Sequence, residues 1–140
     1  MNYFLAKTEP STFSLEDFRN EKITTWDGVH NYQAINIIKS WQTGDMILIY
    51  HSVKEARIVG LGKVISDPKK DPNDVRNISW IADLEFVAEF DQKITLKQIK
   101  EFSKITGKFA DFKLITQSRL SICPCPSEFV AWFFETINYS

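Results

Sequence analysis

Polar and apolar positions along the chain fall into two rhythms, and each predicts an element. NYFLAK, residues 2–7, alternates as a strand does and stops at Glu9-Pro10, where proline restricts the residue before it. SLEDF, 14–18, pairs a serine with an aspartate three positions on, which resembles a short capped helix. NYQAINIIKSW, 31–41, sets Ala34, Ile37, Ile38 and Trp41 at helical spacing, with Asn31 as the cap. Gly44-Asp45 then turns the chain into MILIYHS, an apolar run read as a buried strand. ARIVGLGKVIS, 56–66, is β-rich and holds two of the five glycines, which predicts a bend or a close backbone approach.

WIADLEFVAEF, 80–90, alternates Trp80, Ala82, Leu84, Phe86 and Ala88, again as a strand. TLKQIKEF, 95–102, reads as a helix with Ile94, Leu96 and Ile99 turned inward, and RLSIC, 119–123, as a short strand. PSEFVAWFFETI, 126–137, is a helix with proline near its start and a stripe of Val130, Phe133, Phe134 and Ile137. SDPKKDPND, 66–74, is the one clear polar interruption, a loop marked by its prolines and aspartates. It is too short to separate domains, so residues 1–140 are expected to form a single domain. Strands interrupted by short helices, without a βαβ rhythm, predict an α+β fold built on a small open or closed barrel.

Composition narrows the class. At 140 residues with 44% hydrophobic and 14% aromatic positions, the chain can bury a real core. No apolar run reaches the length of a membrane span, and MNYFLAKTEP does not read as a signal peptide. A cytoplasmic location is expected, or a nuclear one in a eukaryote, with no membrane partner and a monomeric state. The net charge of −1 hides a basic stretch: residues 93–119 carry seven basic groups against Glu101 and Asp111, a net of +5. A nearly neutral chain is a weak bulk binder of phosphate backbones, so a nucleic-acid role must rest on a specific site. Cys123 and Cys125 in CPCP are too close for an unstrained disulfide and lack the partners of a zinc site, which predicts reduced structural thiols. No metal or cofactor is expected.

A catalytic reading finds little support. GLGKV, 60–64, lacks the spacing of a phosphate loop. His51 and Ser52 are neighbours on a strand and face opposite ways, so they cannot pair as base and nucleophile there. A small nucleotide or nucleic-acid hydrolase using His51 or His30 is the enzymatic alternative, and a scaffold docking a protein through Trp132 or Phe129 is another. WDGVHNYQA, 26–34, is more informative, because it crowds an indole, an Asp-Gly turn, an imidazole, a carboxamide and a phenol around one bend. Flat aromatics stack on a flat heterocycle for roughly 1–3 kcal/mol per base. A carboxamide both donates and accepts, as the edge of a base requires.

FLAKTEP at 4–10, WDGVHNYQA at 26–34, GDMILIYHS at 44–52 and RLSICP at 119–124 follow one another in the order and spacing of a known family. Through them the chain resembles the EVE domains, a branch of the PUA-like folds, over nearly its whole length. The resemblance implies a PUA-like curved β-barrel of about five to six strands with short helices around it, similar to PUA, ASCH and YTH domains. It implies a reader pocket for modified bases in DNA or RNA, cytosine-derived above all, and the leading expectation is a non-catalytic module that captures an unpaired base or one extruded by base flipping. An RNA-binding module is the alternative within the same fold. Carried over by residue, Trp26 and Tyr32 would supply aromatic surface and Asn31 an edge contact. His51 and Ser52 would line the wall, Lys7 and Glu9 would lie at the mouth or brace it, and Arg119 and Ser121 would meet a phosphate or hold the wall. His30 and Ile35 stand where the family pattern has arginines. Lys97, Lys100, Lys104 and Lys108 would offer a substitute basic stripe if their helix ran that far, and Gly107 argues that it does not.

Overall fold

The computed structural model describes residues 1–54 and 56–139. Its centre is the parallel pair of β1 (Tyr3–Thr8) and β3 (Met46–His51), in register from Tyr3↔Met46 to Thr8↔His51. A parallel pair needs a long crossover. Here it holds α1 (Leu15–Glu21), β2 (Ile23–Trp26) and α2 (Tyr32–Ser40). Beyond β3 come β4 (Arg57–Val64), the two-residue β5 (Lys69–Lys70) and the long β6 (Trp80–Thr95). The chain ends through α3 (Leu96–Thr106), α4 (Lys113–Thr116), β7 (Ile122–Pro124) and α5 (Ser127–Thr136).

The seven strands form a mixed sheet in the order β2-β6-β4-β3-β1-β7, with β5 added to β6. The expected α+β arrangement of strands and short helices is present, with two differences: there are seven strands rather than five to six, and the sheet stays open rather than closing into a barrel, with β2 and β7 as its two ends. Chemistry explains the stop at β7, a three-residue strand ending in Pro124, whose nitrogen has no hydrogen to extend a ladder.

Local chemistry sets the helix limits. Ser14 Oγ accepts from the Asp17 amide at 3.1 Å while Asp17 Oδ2 accepts from the Ser14 amide at 2.9 Å, a complete capping box. Asn31 Oδ1 caps α2 by accepting from Ala34 N at 3.0 Å. Thr95 and Gln98 form a second capping box for α3, which ends at Gly107 with φ +74°. Lys97, Lys100 and Lys104 therefore share α3, whereas Lys108 lies beyond its end.

Aromatic packing gathers in two groups. Phe18 meets Phe86 edge-on at 5.6 Å and Phe13 at 6.2 Å, and Phe13 meets Trp26 edge-on at 6.2 Å. On α5, Phe129 and Phe133 are fully buried, with Phe112 4.5 Å and Phe90 5.3 Å from them. The inward stripe is thus centred on Phe129 and Phe133, while Val130, Phe134 and Ile137 are half-buried. Phe129 is not an exposed docking residue, and Trp132 stacks on Phe102 at 4.7 Å.

Gly60 and Gly62 show why β4 needed glycines. A Cβ on Gly60 would stand 2.5 Å from Leu15 Cδ1 and 2.8 Å from the Ala88 carbonyl oxygen, so α1 approaches the strand through a space no side chain can share. Gly60→Ala is expected to lower stability by about 1–3 kcal/mol, the range of overpacked cores. Urea unfolding checks this, and an unchanged midpoint would contradict the packing.

Candidate functional site

A cavity of about 540 Å3 lies where the open sheet leaves a gap. One side is Thr24, Thr25 and Trp26 of β2 with the bend at 27–30, and the other is Lys7 and Thr8 of β1 with Ser121 just before β7. Thr12 and Phe13, from the connection into α1, complete the wall together with Glu21. Its volume falls within the roughly 300–1,000 Å3 of small-molecule sites.

The bend exists because Gly28 adopts φ +72°, a left-handed conformation that costs glycine nothing. Val29 is buried beyond it, and its carbonyl accepts from the buried Ser79 hydroxyl at 2.7 Å. His30 Nδ1 lies 2.6 Å from Arg76 Nη2, and because a guanidinium can only donate, Nδ1 is the acceptor. The loop that supplies Arg76 and Ser79 is itself firmly tied. Asp74 accepts from the amides of Ser79, Ile78 and Arg76 at 2.8, 3.1 and 3.2 Å. Those amides, Ser79 foremost, hold the Asp74 carboxyl down to about 2.

Lys7 is the half-buried cation of the cavity. Its Nζ donates to the Ser118 carbonyl at 2.9 Å and lies 5.6 Å from the Tyr50 ring centre. Burial lowers its pKa, with the Cys123 thiol acting in the other direction. The Thr8 and Thr25 hydroxyls are spent on Phe13 O and Asp83 Oδ1, at 2.7 Å each. Among the described residues, the hydroxyls of Thr12, Thr24 and Ser121 have no hydrogen-bond partner. The cavity thus combines aromatic surface, an ammonium donor, spare hydroxyls and the carboxylates of Glu21 and Asp27.

The structure gathers Trp26, Lys7 and Ser121 at this cavity and places the other expected site residues elsewhere. Trp26 is 7% exposed, an inner wall with an opening beside it. Asn31 and Arg119 line a neighbouring polar concavity of about 330 Å3. Tyr32, 69% exposed, projects from the first turn of α2. Glu9 is exposed, and its carbonyl accepts from the Thr12 and Phe13 amides at 2.9 Å each. Ser52 N and Oγ both turn to the Thr8 carbonyl, at 3.1 and 3.4 Å.

His51 Nε2 accepts from the Leu15 amide at 3.2 Å and so anchors the start of α1. Burial lowers the His51 pKa, and Arg57 and Lys93 push the same way. This contribution to stability is full above the ordinary histidine value of 6.5 and is lost as pH falls below it. Unfolding at pH 7.5 and 5.5 is expected to show lower stability in acid, with a smaller slope in His51→Gln. An equal slope in both proteins would contradict the assignment.

Phe13, Arg76 and Ser79 escaped the sequence reading. Phe13 sits in an irregular connection without periodicity, and the other two belong to a stretch that carries no motif. Arg76 restores a guanidinium beside His30, where the family pattern would place one in the bend itself. Ile35, the other departure, is a core residue at 3% exposure. Burial raises the Cys123 thiol to about 12, and neither cysteine is paired.

A mixed sheet left open around such a cavity, with short helices about it, defines a PUA-like domain. The chain belongs to the EVE domain family, whose model matches residues 2–136. Thymocyte nuclear protein 1 of Rattus norvegicus is 33% identical to it, over 91% of this chain and 70% of that protein. The human THYN1 protein, solved in complex with 5-methylcytosine-containing DNA, superposes with a TM-score of 0.89 at 28% identity, covering 100% of this chain and 99% of that one. The YTH domain of Zygosaccharomyces rouxii MRB1, solved with N6-methyladenosine RNA, reaches a TM-score of 0.61 at 13% identity, over 99% of this chain and 87% of that one, a likeness of fold alone.

Proposed function

We propose that this chain is a non-catalytic reader that takes a modified, cytosine-derived base of DNA into the cavity between β2 and β1. The observation that carries the proposal is the donor and acceptor set of that cavity. A cytosine offers an amino donor beside ring nitrogen and carbonyl acceptors. Glu21 or Asp27 can accept from the amine, and Lys7 Nζ or the Thr12, Thr24 and Ser121 hydroxyls can donate to the acceptors. A 5-methyl group would find apolar surface on Phe13, Trp26 or Val29. The human relative solved with 5-methylcytosine DNA supports the same class of ligand.

Selectivity should be modest, because one buried methyl contributes about 0.8 kcal/mol. Fluorescence polarisation with labelled oligonucleotides, with and without 5-methylcytosine, as DNA and as RNA, tests the proposal. About three- to fivefold tighter binding of the methylated DNA is expected from that energy. Equal affinity for methylated and unmethylated strands would overturn it, and tighter binding of the RNA would favour the RNA-reader alternative. Incubation of the same oligonucleotides should leave their masses unchanged; a mass change would establish an enzyme instead.

A further inference from the structure

The loop at 71–79 is built more firmly than an ordinary connection, and at its tip it holds an apolar side chain entirely in solvent. Val75 is 100% exposed. Around it, the Asp71 amide donates to the Ser79 carbonyl at 2.8 Å and closes the loop, while Asp71 Oδ1 accepts from Asn73 N at 2.9 Å. The three amides on Asp74 hold the turn from inside, and Asn77 adopts φ +57° to complete it. Valine adds its own stiffness, because branching at Cβ restricts its rotamers. That order braces the bend through Arg76 and Ser79, but it leaves the Val75 side chain itself unused, fully exposed at the tip of the loop.

Position gives the rigidity a purpose. The residue next to Val75, Arg76, rests on His30, and Ser79 bonds the Val29 carbonyl, so the loop is fixed to the wall of the cavity. Two residues along the chain from His30, Tyr32 stands 69% exposed. Val75 and Tyr32 are therefore exposed apolar groups on the two segments that meet at His30, which lines the cavity. The loop's Lys69, Lys70 and Arg76 balance Asp67, Asp71 and Asp74, so this edge carries no net negative charge against a phosphate backbone.

We infer that Val75 is a wedge, with Tyr32 as its flank, and that the ligand is a duplex from which the base is extruded. Proteins that distort DNA insert apolar side chains between base steps, and an extruded base leaves such a gap in the stack. A rigid apolar tip fixed beside the receiving cavity fills that gap while the base occupies the cavity. A single strand, already unstacked, has no gap to fill and gains nothing from the wedge. This inference rests on the reader assignment above and specifies the form of nucleic acid it takes.

The test compares a duplex and a single strand with the same central 5-methylcytosine, bound to wild-type protein and to Val75→Ala and Val75→Gly. Both substitutions are at a fully exposed position, so the fold is expected to be kept, which circular dichroism is to check. The variants are expected to bind the duplex about tenfold more weakly and the single strand within about twofold, as loss of a small buried apolar group implies. A 2-aminopurine beside the methylated cytosine should brighten on wild-type binding and brighten less with the variants. Equal losses on both ligands, or none on either, would overturn the wedge while leaving the reader assignment intact. A wild-type protein that ignores methylation in both forms would overturn both.

Discussion

Trp26→Ala should abolish discrimination of the modified base, with affinity falling about 5- to 150-fold, the equivalent of 1–3 kcal/mol of lost stacking. The indole is the aromatic wall between β2 and the bend, and Phe13 meets it edge-on, so its removal opens the cavity into the core. The same change costs stability, about 3–5 kcal/mol for a buried tryptophan. Two milder variants separate binding from folding. Trp26→Phe keeps an aromatic face and should retain most of the affinity. Lys7→Met keeps the aliphatic stem but removes the donor, and should weaken binding while leaving the unfolding midpoint nearly unchanged. If Trp26→Phe and Lys7→Met both bind as wild type, the cavity is not where the base resides.

Phe129→Ala should be among the most damaging single changes to stability, at about 3–5 kcal/mol. Its ring is fully buried on α5, 4.5 Å from Phe112 and 5.3 Å from Phe109, in a group that ties α5 to the segment between α3 and α4. Val130→Ala, at a half-buried position one residue away, should cost much less. Chemical denaturation of the two variants therefore reads the phase of the helix. Equal costs would mean that the buried stripe is not centred on Phe129.

That phase also shows what the sequence could convey. Elements governed by neighbours in the chain were legible: the capping box of Ser14 and Asp17, the Asn31 cap, the Gly107 stop and the alternation from Trp80 to Ala88 all appear as read. Elements governed by distant partners were not. β2 is a strand because Ile23–Trp26 pairs with 82–85, and its β-branched Ile-Thr-Thr run was a faint signal of this. β5 is two residues of a polar loop held to Trp80 and Ile81, and α4 is too short for a period to show. On α5, six apolar positions in ten residues leave several stripes equally plausible, and the packing of Phe129 against Phe112 decides among them.

The site divides in the same way. Trp26, Lys7 and Ser121 come from three stretches whose order and spacing resemble a family, and they meet at one cavity. Asn31 was legible twice over, as a cap and as an edge contact, and its side-chain oxygen is spent on the cap. Tyr32 follows the cap and so points out of the first turn, where nothing in local sequence separates an exposed ring from a cavity wall. Phe13, Arg76 and Ser79 reach the bend or the cavity from other segments, through contacts no spacing rule encodes.

The most direct measurement is a heteronuclear NMR titration with a short duplex bearing one 5-methylcytosine, compared with its unmethylated twin. The account predicts methylation-dependent shifts at Lys7, Phe13, Trp26, Val29 and Ser121, with the Trp26 indole signal moving most. Shifts confined to the basic concavity at Lys54, Lys97 and Lys100, and identical for the two duplexes, would contradict it.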